Sequence, residues 1–259
     1  MKKRAVIFAL AGIVLLSLAF LAGHYFWPET DAEYRGTVVV KEEIPLSDSL
    51  FIQGLEMNDK ELICATGRYG SSMLGILNEG KFNAKKNLPS DEFGEGITVT
   101  EDELFQLTWR EGLCYVRDPQ TFEVIRMHNY EGEGWGICYD GTNLIQSDGT
   151  AKLKYRAPGT FEVISEHTVV DRDGNPVVRL NELEFANGHI YANIWQTKDV
   201  VKIDPKTFKV VKVYTTDFPA DISHENSNAT LNGIAHIKGN RFYLTGKLWN
   251  AYYKVELKD

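Results

Sequence analysis

No stretch of this 259-residue chain gathers lysine and arginine into a stripe: 28 basic residues are scattered among 36 acidic ones, for a net charge of -8. Proteins that bind nucleic acid present a basic face that tracks the phosphates, so nucleic acid is not expected as a partner. Histidine is sparse. None of His24, His128, His167, His189, His224 and His236 lies at metal-ligand spacing to another or to a cysteine, which argues against a catalytic zinc. Only three cysteines are present, an odd number that allows at most one disulfide. Cys64, Cys114 and Cys138 each sit in an apolar, strand-like context ("ELICAT", "GLCYV", "GICYD") and read as small buried hydrophobic residues. Helical periodicity is nearly absent beyond residue 34.

The N-terminus differs in kind. Lys2, Lys3 and Arg4 precede "AVIFALAGIVLLSLAFLAG", nineteen residues from Ala5 to Gly23 without a charge. As a helix this run reaches roughly 28 Å, close to the ~30 Å hydrocarbon thickness of a bilayer. Residues 1–23 are therefore expected to be a signal peptide or signal anchor that sends the rest of the chain out of the cytoplasm, to the periplasm or its equivalent. Phe20 and Leu21 stand where small residues would mark a cleavage site, which favours an uncleaved anchor. Residues 24–33, with Pro28, read as a linker, and 34–259 as the folded domain.

In that domain short runs rich in Val, Ile, Tyr, Phe and Thr alternate with Gly, Asn and Asp turns. Laid against itself, the chain shows a repeat that begins "QGLEMNDKELICATG" at 53, "EGITVTEDELFQLTW" at 95, "WGICYDGTNLIQSDG" at 135, "NELEFANGHIYANIW" at 181 and "NGIAHIKGNRFYLTG" at 232. The starts are 42, 40, 46 and 51 positions apart. A second marker keeps the same period: "DPQTFEVI" at 118, "APGTFEVI" at 157 and "DPKTFKVV" at 204. An all-β period of about 40 to 50 residues predicts a β-propeller, here of five blades. "EYRGTVVVKEEI" at 34 and "AYYKVEL" at 251 flank the five units, so N- and C-terminal strands are expected to share a blade and close the ring.

The first strand of a propeller blade lies nearest the axis. Equivalent positions at its entrance, Gln53, Glu95, Trp135, Asn181 and Asn232, are expected to converge. The end of the second strand adds Thr66, Thr108, Trp109, Asp148, Trp195, Thr245 and Lys247. Each has a plain alternative: tryptophans pack blades, a glutamate between glycines caps a turn, and a lysine is solvated. Polar, charged and aromatic types nevertheless gather at one level of the ring, as in a binding or catalytic cleft.

Taken together, "FIQGLE", "TGRYGSS", "FGEGIT", "QLTW", "GEGWGI", "SDGT", "LNELE", "ANIW", "IDPKTF", "LNGIA" and "LTGK" resemble the plant and bacterial glutaminyl-peptide cyclotransferases, the five-bladed glutaminyl cyclases. The resemblance runs from about residue 34 to the end and touches all five units. It implies conversion of the N-terminal glutamine of a peptide or protein into pyroglutamate, with release of ammonia and no cofactor needed for catalysis. Glu95 matches the catalytic glutamate of that family and would shuttle the proton. Lys247 and Asn181 would steady the oxyanion, with Gln53 among the substrate-binding polar groups, and Trp109, Trp135 and Trp195 match the aromatic pocket.

Glu133, two residues before Trp135, reads as a support for the loop, and Glu182 as a hydrogen-bond partner of the neighbouring blade. Asn232 belongs to the ring, facing either substrate or a structural ion in the central channel. The expected partners are peptides beginning with glutamine, met by a monomer that touches the membrane only through its N-terminal segment. Two rival functions use the same cleft: a non-catalytic propeller that binds a peptide or other ligand, and a metal-dependent propeller hydrolase or lactonase.

Overall fold

A computed structural model describes residues 33–218 and 228–259. The expected signal or anchor segment, and all but the last residue of the linker, lie outside the described residues. The N-terminal strand β1 (Thr37–Pro45) is followed by β2 (Ile52–Asn58), β3 (Glu61–Thr66), β4 (Met73–Asn78) and β5 (Lys81–Asn87), which form the first blade. The second contains β6 (Gly94–Val99), β7 (Leu104–Thr108), β8 (Leu113–Arg117) and β9 (Val124–Asn129). The third contains β10 (Ile137–Tyr139), β11 (Leu144–Ser147), β12 (Lys152–Arg156) and β13 (Val163–Thr168). The fourth contains β14 (Leu180–Ala186), β15 (His189–Ile194), β16 (Asp199–Ile203) and β17 (Val210–Thr215). The last contains β18 (Leu231–Lys238), β19 (Arg241–Gly246) and β20 (Ala251–Lys258), completed by β1 on the outside. Thr37 to Pro45 pair antiparallel with Lys258 to Ala251, so the first and last strands of the propeller lock the ring.

Local sequence explains these sheets. The β4–β5 and β14–β15 hairpins turn on Glu79-Gly80 and Asn187-Gly188, with φ of 48°, 78°, 52° and 73°. Two successive positive φ values are the tight hairpin geometry that matches strand twist. The "DPQTF" marker is a different device. Phe122, Phe161 and Phe208 donate their backbone N–H to the carbonyls of Asp118, Ala157 and Asp204, closing five-residue turns with each Phe at positive φ. Phe122 and Phe161 are thereby driven into the core.

Blades pack face to face through apolar layers. Phe105, Leu107, Ile137, Leu144 and Phe161 join the second and third blades. Tyr191, Tyr214, Phe242, Leu244 and Tyr253 join the fourth and fifth. Leu55, Leu62 and Cys64 meet Ala235 and Tyr252 between the first and fifth. A fully buried side chain of this size contributes about 1.5–3 kcal/mol, so no blade is stable without its neighbours. All three cysteines are buried and unbridged, in keeping with their apolar settings.

The inner strands β2, β6, β10, β14 and β18 contact one another in sequence and close on themselves. After each ring position comes glycine in four blades: Gly54, Gly96, Gly136 and Gly233. The reason is close approach. A Cβ on Gly96 would lie 2.7 Å from the Trp135 carbonyl oxygen, and one on Gly136 would lie 2.1 Å from that of Asn181. In the fourth blade this position is Glu182, whose carboxylate reaches inward.

Candidate active site

The pairing of the inner strand with its neighbour shifts register between Ile52 and Gly54, Gly94 and Ile97, Leu180 and Leu183, and Leu231 and Ile234. Gln53, Glu95, Asn181 and Asn232 fall inside these four irregularities. An extra residue in one strand bends it and re-aims its side chain. In the third blade Trp135 lies just ahead of β10. Beyond the irregularity the ladder gains one more rung: Gly67, Trp109, Trp195 and Lys247 donate backbone N–H to the carbonyls of Phe51, Phe93, Arg179 and Thr230.

The result is a cleft of about 470 Å³ at the end of the channel. Gln53, Glu95, Trp109, Trp135, Asn181, Trp195 and Lys247 all line it, joined by Phe51, Arg68, Phe93 and Asn228. Glu95 is the one carboxylate among the described residues that do so, and it is 5% exposed. Gln53 donates from Nε2 to Oε1 of Glu95 at 3.0 Å. Asn232, fully buried, donates from Nδ2 to the Ile52 carbonyl at 3.0 Å and to Gln53 Oε1 at 3.2 Å. The chain from Asn232 through Gln53 to Glu95 crosses three blades and fixes which end of the Gln53 amide faces the carboxylate. Asn181 Nδ2 is buried and has no hydrogen-bond acceptor among the described residues, and the side chain lines the cleft.

Burial pushes the Glu95 carboxyl well above the usual carboxylate range; the Lys247 charge acts against this, and Glu133 and Glu111 add to it. Burial pulls Lys247 below the ordinary lysine value, while Glu95 acts to restore it. The acid and the amine are thus drawn towards one another in proton affinity, a pattern that concentrates at functional sites. Lys247 Nζ also stands 5.3 Å from the Phe51 ring centre.

The aromatic wall is braced. Trp135 and Trp195 meet edge to face with centres 5.4 Å apart, and Phe93 and Trp109 lie tilted at 5.5 Å. Glu133 Oε2 accepts from the indole N–H of Trp109 at 2.8 Å and of Trp135 at 2.9 Å, while Oε1 accepts from Arg110 at 2.9 Å. Burial would raise the Glu133 carboxyl, but the hydrogen bonds from Trp135, Trp109 and Arg110 outweigh it and hold it below the usual range. Glu182 lies deeper, 0% exposed. Its Oε1 accepts from Leu55 N at 3.2 Å and its Oε2 from Ile234 N at 2.8 Å, so it joins β14 to its neighbour β18 and, across the channel, to β2.

Some residues expected at the cleft are turned away. Thr66, Thr108 and Thr245 are buried and spend their hydroxyls on Met73, Leu113 and Ala251 of their own blades. Asp148 pairs with Lys154 at 3.0 Å and holds the Thr150 hydroxyl. Position along the second strand does not by itself set the direction of a side chain: Thr108 and Trp109 are neighbours, yet only Trp109 lines the cleft while Thr108 bonds within its blade. Phe51, Phe93 and Arg68 escaped sequence reasoning. The signal was available: Phe51, Phe93, Glu133 and Arg179 all stand two residues before a ring position. Among the described residues no group of three or more His, Cys, Asp or Glu is arranged to hold a metal ion.

The family described as glutamine cyclotransferase matches residues 13–257. The glutaminyl-peptide cyclotransferase of Arabidopsis thaliana is 30% identical over 268 residues, covering 95% of this chain and 83% of that protein. The crystal structure of Myxococcus xanthus glutaminyl cyclase is similar with a TM-score of 0.76 at 34% identity, covering 87% of this chain and 98% of that one. With a family match over nearly its whole length and five blades built around a buried glutamate, the chain belongs to the glutamine cyclotransferase family.

Proposed function

We propose that Glu95 is the proton carrier with which this enzyme, a glutaminyl-peptide cyclotransferase, converts the N-terminal glutamine of a peptide to pyroglutamate. The observation that carries the reading is the placement of Glu95, buried in the cleft with the Gln53 amide at 3.0 Å and Lys247 lining the same wall.

The α-amine of the substrate attacks the carbonyl carbon of its own side-chain amide. A nitrogen–carbon bond forms, the carbonyl oxygen gathers negative charge, and the bond to the amide nitrogen then breaks. The amine attacks in its neutral form; as the bond forms Glu95 takes a proton from the attacking nitrogen and delivers it to the departing nitrogen, which leaves as ammonia. A peptide α-ammonium titrates near 7.7–8.0, so a carboxyl raised above its usual range exchanges a proton with it at a smaller free-energy cost. Lys247 and the Nδ2 of Asn181 supply preorganised donors to the oxyanion. Trp109, Trp135 and Trp195 hold the side chain folded for attack and exclude the water that would hydrolyse it to glutamate.

No cofactor enters this scheme. The ring closes within one chain, which supports action as a monomer. Lys2, Lys3 and Arg4 ahead of nineteen uncharged residues support export, with the segment kept as an anchor or cut as a signal peptide. Ammonia release from a peptide beginning with glutamine, with and without a chelator, tests the whole reading. Release is expected, unaffected by chelation, and lowered about 10²-fold or more by Glu95→Gln, with a similar loss in Lys247→Ala. Binding without release would make the protein a non-catalytic binder, and release abolished by the chelator would demand a metal. Near-normal turnover in Glu95→Gln would take the proton-carrying role away from that residue.

A further inference from the structure

The entrance to the cleft carries more positive charge than cyclisation needs. The protein as a whole is acidic, with a net charge of -8. Yet three arginines stand around this one opening, each over an aromatic ring. Arg68 Cζ lies 4.8 Å from the Phe51 ring centre, Arg110 Cζ 3.7 Å from that of Trp109, and Arg179 Cζ 5.8 Å from that of Trp195. Arg110 is committed to Glu133 at 2.9 Å. Arg68 and Arg179 differ: their guanidinium groups form no ion pair or hydrogen bond with any described residue. The acidic groups nearby are already engaged, Glu111 by the Tyr69 hydroxyl at 2.9 Å and the Phe93 N–H at 3.3 Å, and Glu133 by both tryptophans.

Backbone conformation adds an independent observation. Arg68 has φ of 137° and Arg179 φ of 66°, left-handed conformations that glycine adopts without penalty and a β-carbon does not. Local folding would be better served by glycine at both places. Two arginines held in disfavoured conformations, at one opening and with no charge partner among the described residues, are placed to meet a ligand.

Resting on the cyclisation reading, the identity of that ligand follows from how a substrate must lie. Its glutamine fills the cleft and the rest of the peptide leaves by the entrance. At about 3.3–3.6 Å per extended residue, the next one or two side chains pass the rim. A guanidinium fork stacked on an aromatic ring presents its N–H groups edge-on, the geometry that matches a carboxylate. We propose that Arg68 and Arg179 select peptides in which the glutamine is followed by aspartate or glutamate, and disfavour those in which it is followed by lysine or arginine.

Three amidated peptides, Gln-Glu-Glu, Gln-Ala-Ala and Gln-Lys-Lys, test this at low salt by ammonia release. Their blocked C-termini remove the only other carboxylate. The expected order of kcat/KM is Glu over Ala over Lys, with about tenfold between the extremes, and a smaller spread at high salt. In the double variant Arg68→Gln with Arg179→Gln the extremes should lie within about twofold. Arg68→Gly alone, which suits its backbone, should fold at least as well and lose part of the preference. Equal kcat/KM for the three peptides, or a preference undiminished in the double variant, overturns the proposal while leaving cyclisation standing. No release from any of the three overturns the activity and the preference together.

Discussion

Gln53 and Glu95 are joined by a 3.0 Å hydrogen bond from amide to carboxylate, although 42 residues and a blade boundary separate them. Because Asn232 donates to the other end of the same amide, Gln53 presents Nε2 rather than its oxygen to Glu95. The contact places a donor on the carboxylate without adding a charge. Glu95 is therefore held by an oriented donor, itself fixed at both ends, while burial still raises its proton affinity. A carboxylate that acts first as a base and then as an acid needs that combination.

A pH dependence follows. Glu95 accepts a proton from the amine only when ionised, and its pKa is raised by burial, so the acidic limb of kcat/KM should fall well above the ordinary carboxylate value of about 4.3. At the other end Lys247 must stay protonated to attract the oxyanion, and burial lowers its pKa, so the alkaline limb should fall below the ordinary lysine value of about 10.4. Removing the lysine charge in Lys247→Met should move the acidic limb still higher, since the Coulombic pull on Glu95 is lost. A pH profile of kcat/KM for both proteins checks this; an acidic limb unmoved in Lys247→Met would mean that the two groups do not interact.

Glu133 touches no reacting atom in this scheme and acts through two indoles. Glu133→Ala should release Trp109 and Trp135 together and free Arg110, lowering kcat/KM about tenfold, with most of the change in KM. Two indole N–H bonds to one charged acceptor, at about 1.5–3 kcal/mol each, are large enough for that. Steady-state kinetics and tryptophan emission give the readout. A fall confined to kcat would instead place Glu133 in the chemical step.

The blade count, the shared closing blade and the level of the cleft were all legible because they depend on spacing, and spacing survives in a repeat even where residues differ. Six of the seven expected residues that line the cleft share a further property: Gln53, Glu95 and Asn181 fall where the inner strand breaks register, and Trp109, Trp195 and Lys247 lie on the rung beyond such a break, whereas Trp135 stands in the blade without one. What spacing does not encode is the direction of a side chain across such a break. Position alone puts Thr66, Thr108 and Thr245 at the opening, but their hydroxyls turn to the carbonyls of Met73, Leu113 and Ala251 within their own blades. Phe51 and Phe93 went unread because they precede the repeat as aligned, and the extra rung that brings them to the rim exists only through backbone bonds to Gly67 and Trp109. The pairing of Glu133 with two indoles was beyond reach, since it joins loops of two blades.

Glu182 offers a test of what holds the inner strands together. Glu182→Ala strips an acceptor from the backbone N–H groups of Leu55 and Ile234 inside the channel, a loss of about 1–3 kcal/mol for each buried donor left unpaired. The Glu182 carboxyl is raised by burial, against which the two N–H bonds act. A carboxyl with a raised folded-state pKa lends stability that is fully present below its unfolded value and is lost as pH rises through the folded value. Glu182→Gln, which keeps one acceptor oxygen, should therefore be less stable than the parent in mild acid and approach it as pH rises. Denaturant unfolding at several pH values measures this, and a gap that widens with pH would contradict it.

Gly136 bears most directly on whether fold and cleft are coupled. An added Cβ would lie 2.1 Å from the Asn181 carbonyl oxygen and 2.7 Å from the Glu182 Cα, both backbone atoms of the adjacent blade. No side-chain rotation relieves such a contact, so β10 and β14 must part. Ser147 resists, because its hydroxyl donates to the Asn181 carbonyl at 2.6 Å and accepts from Gly136 N–H at 2.8 Å. Trp135 and Asn181, the ring residues on either side, would be displaced with them. Gly136→Ala should cost about 1–3 kcal/mol of stability, as overpacking does, and reduce turnover more than tenfold through misplacement of a donor and an aromatic wall. Gly159→Ala is the control: nothing lies within 4 Å of its Cβ, so it should leave both unchanged. If Gly136→Ala melted and turned over like Gly159→Ala, the inner strands would be free to slide, and the cleft could not owe its geometry to their close approach.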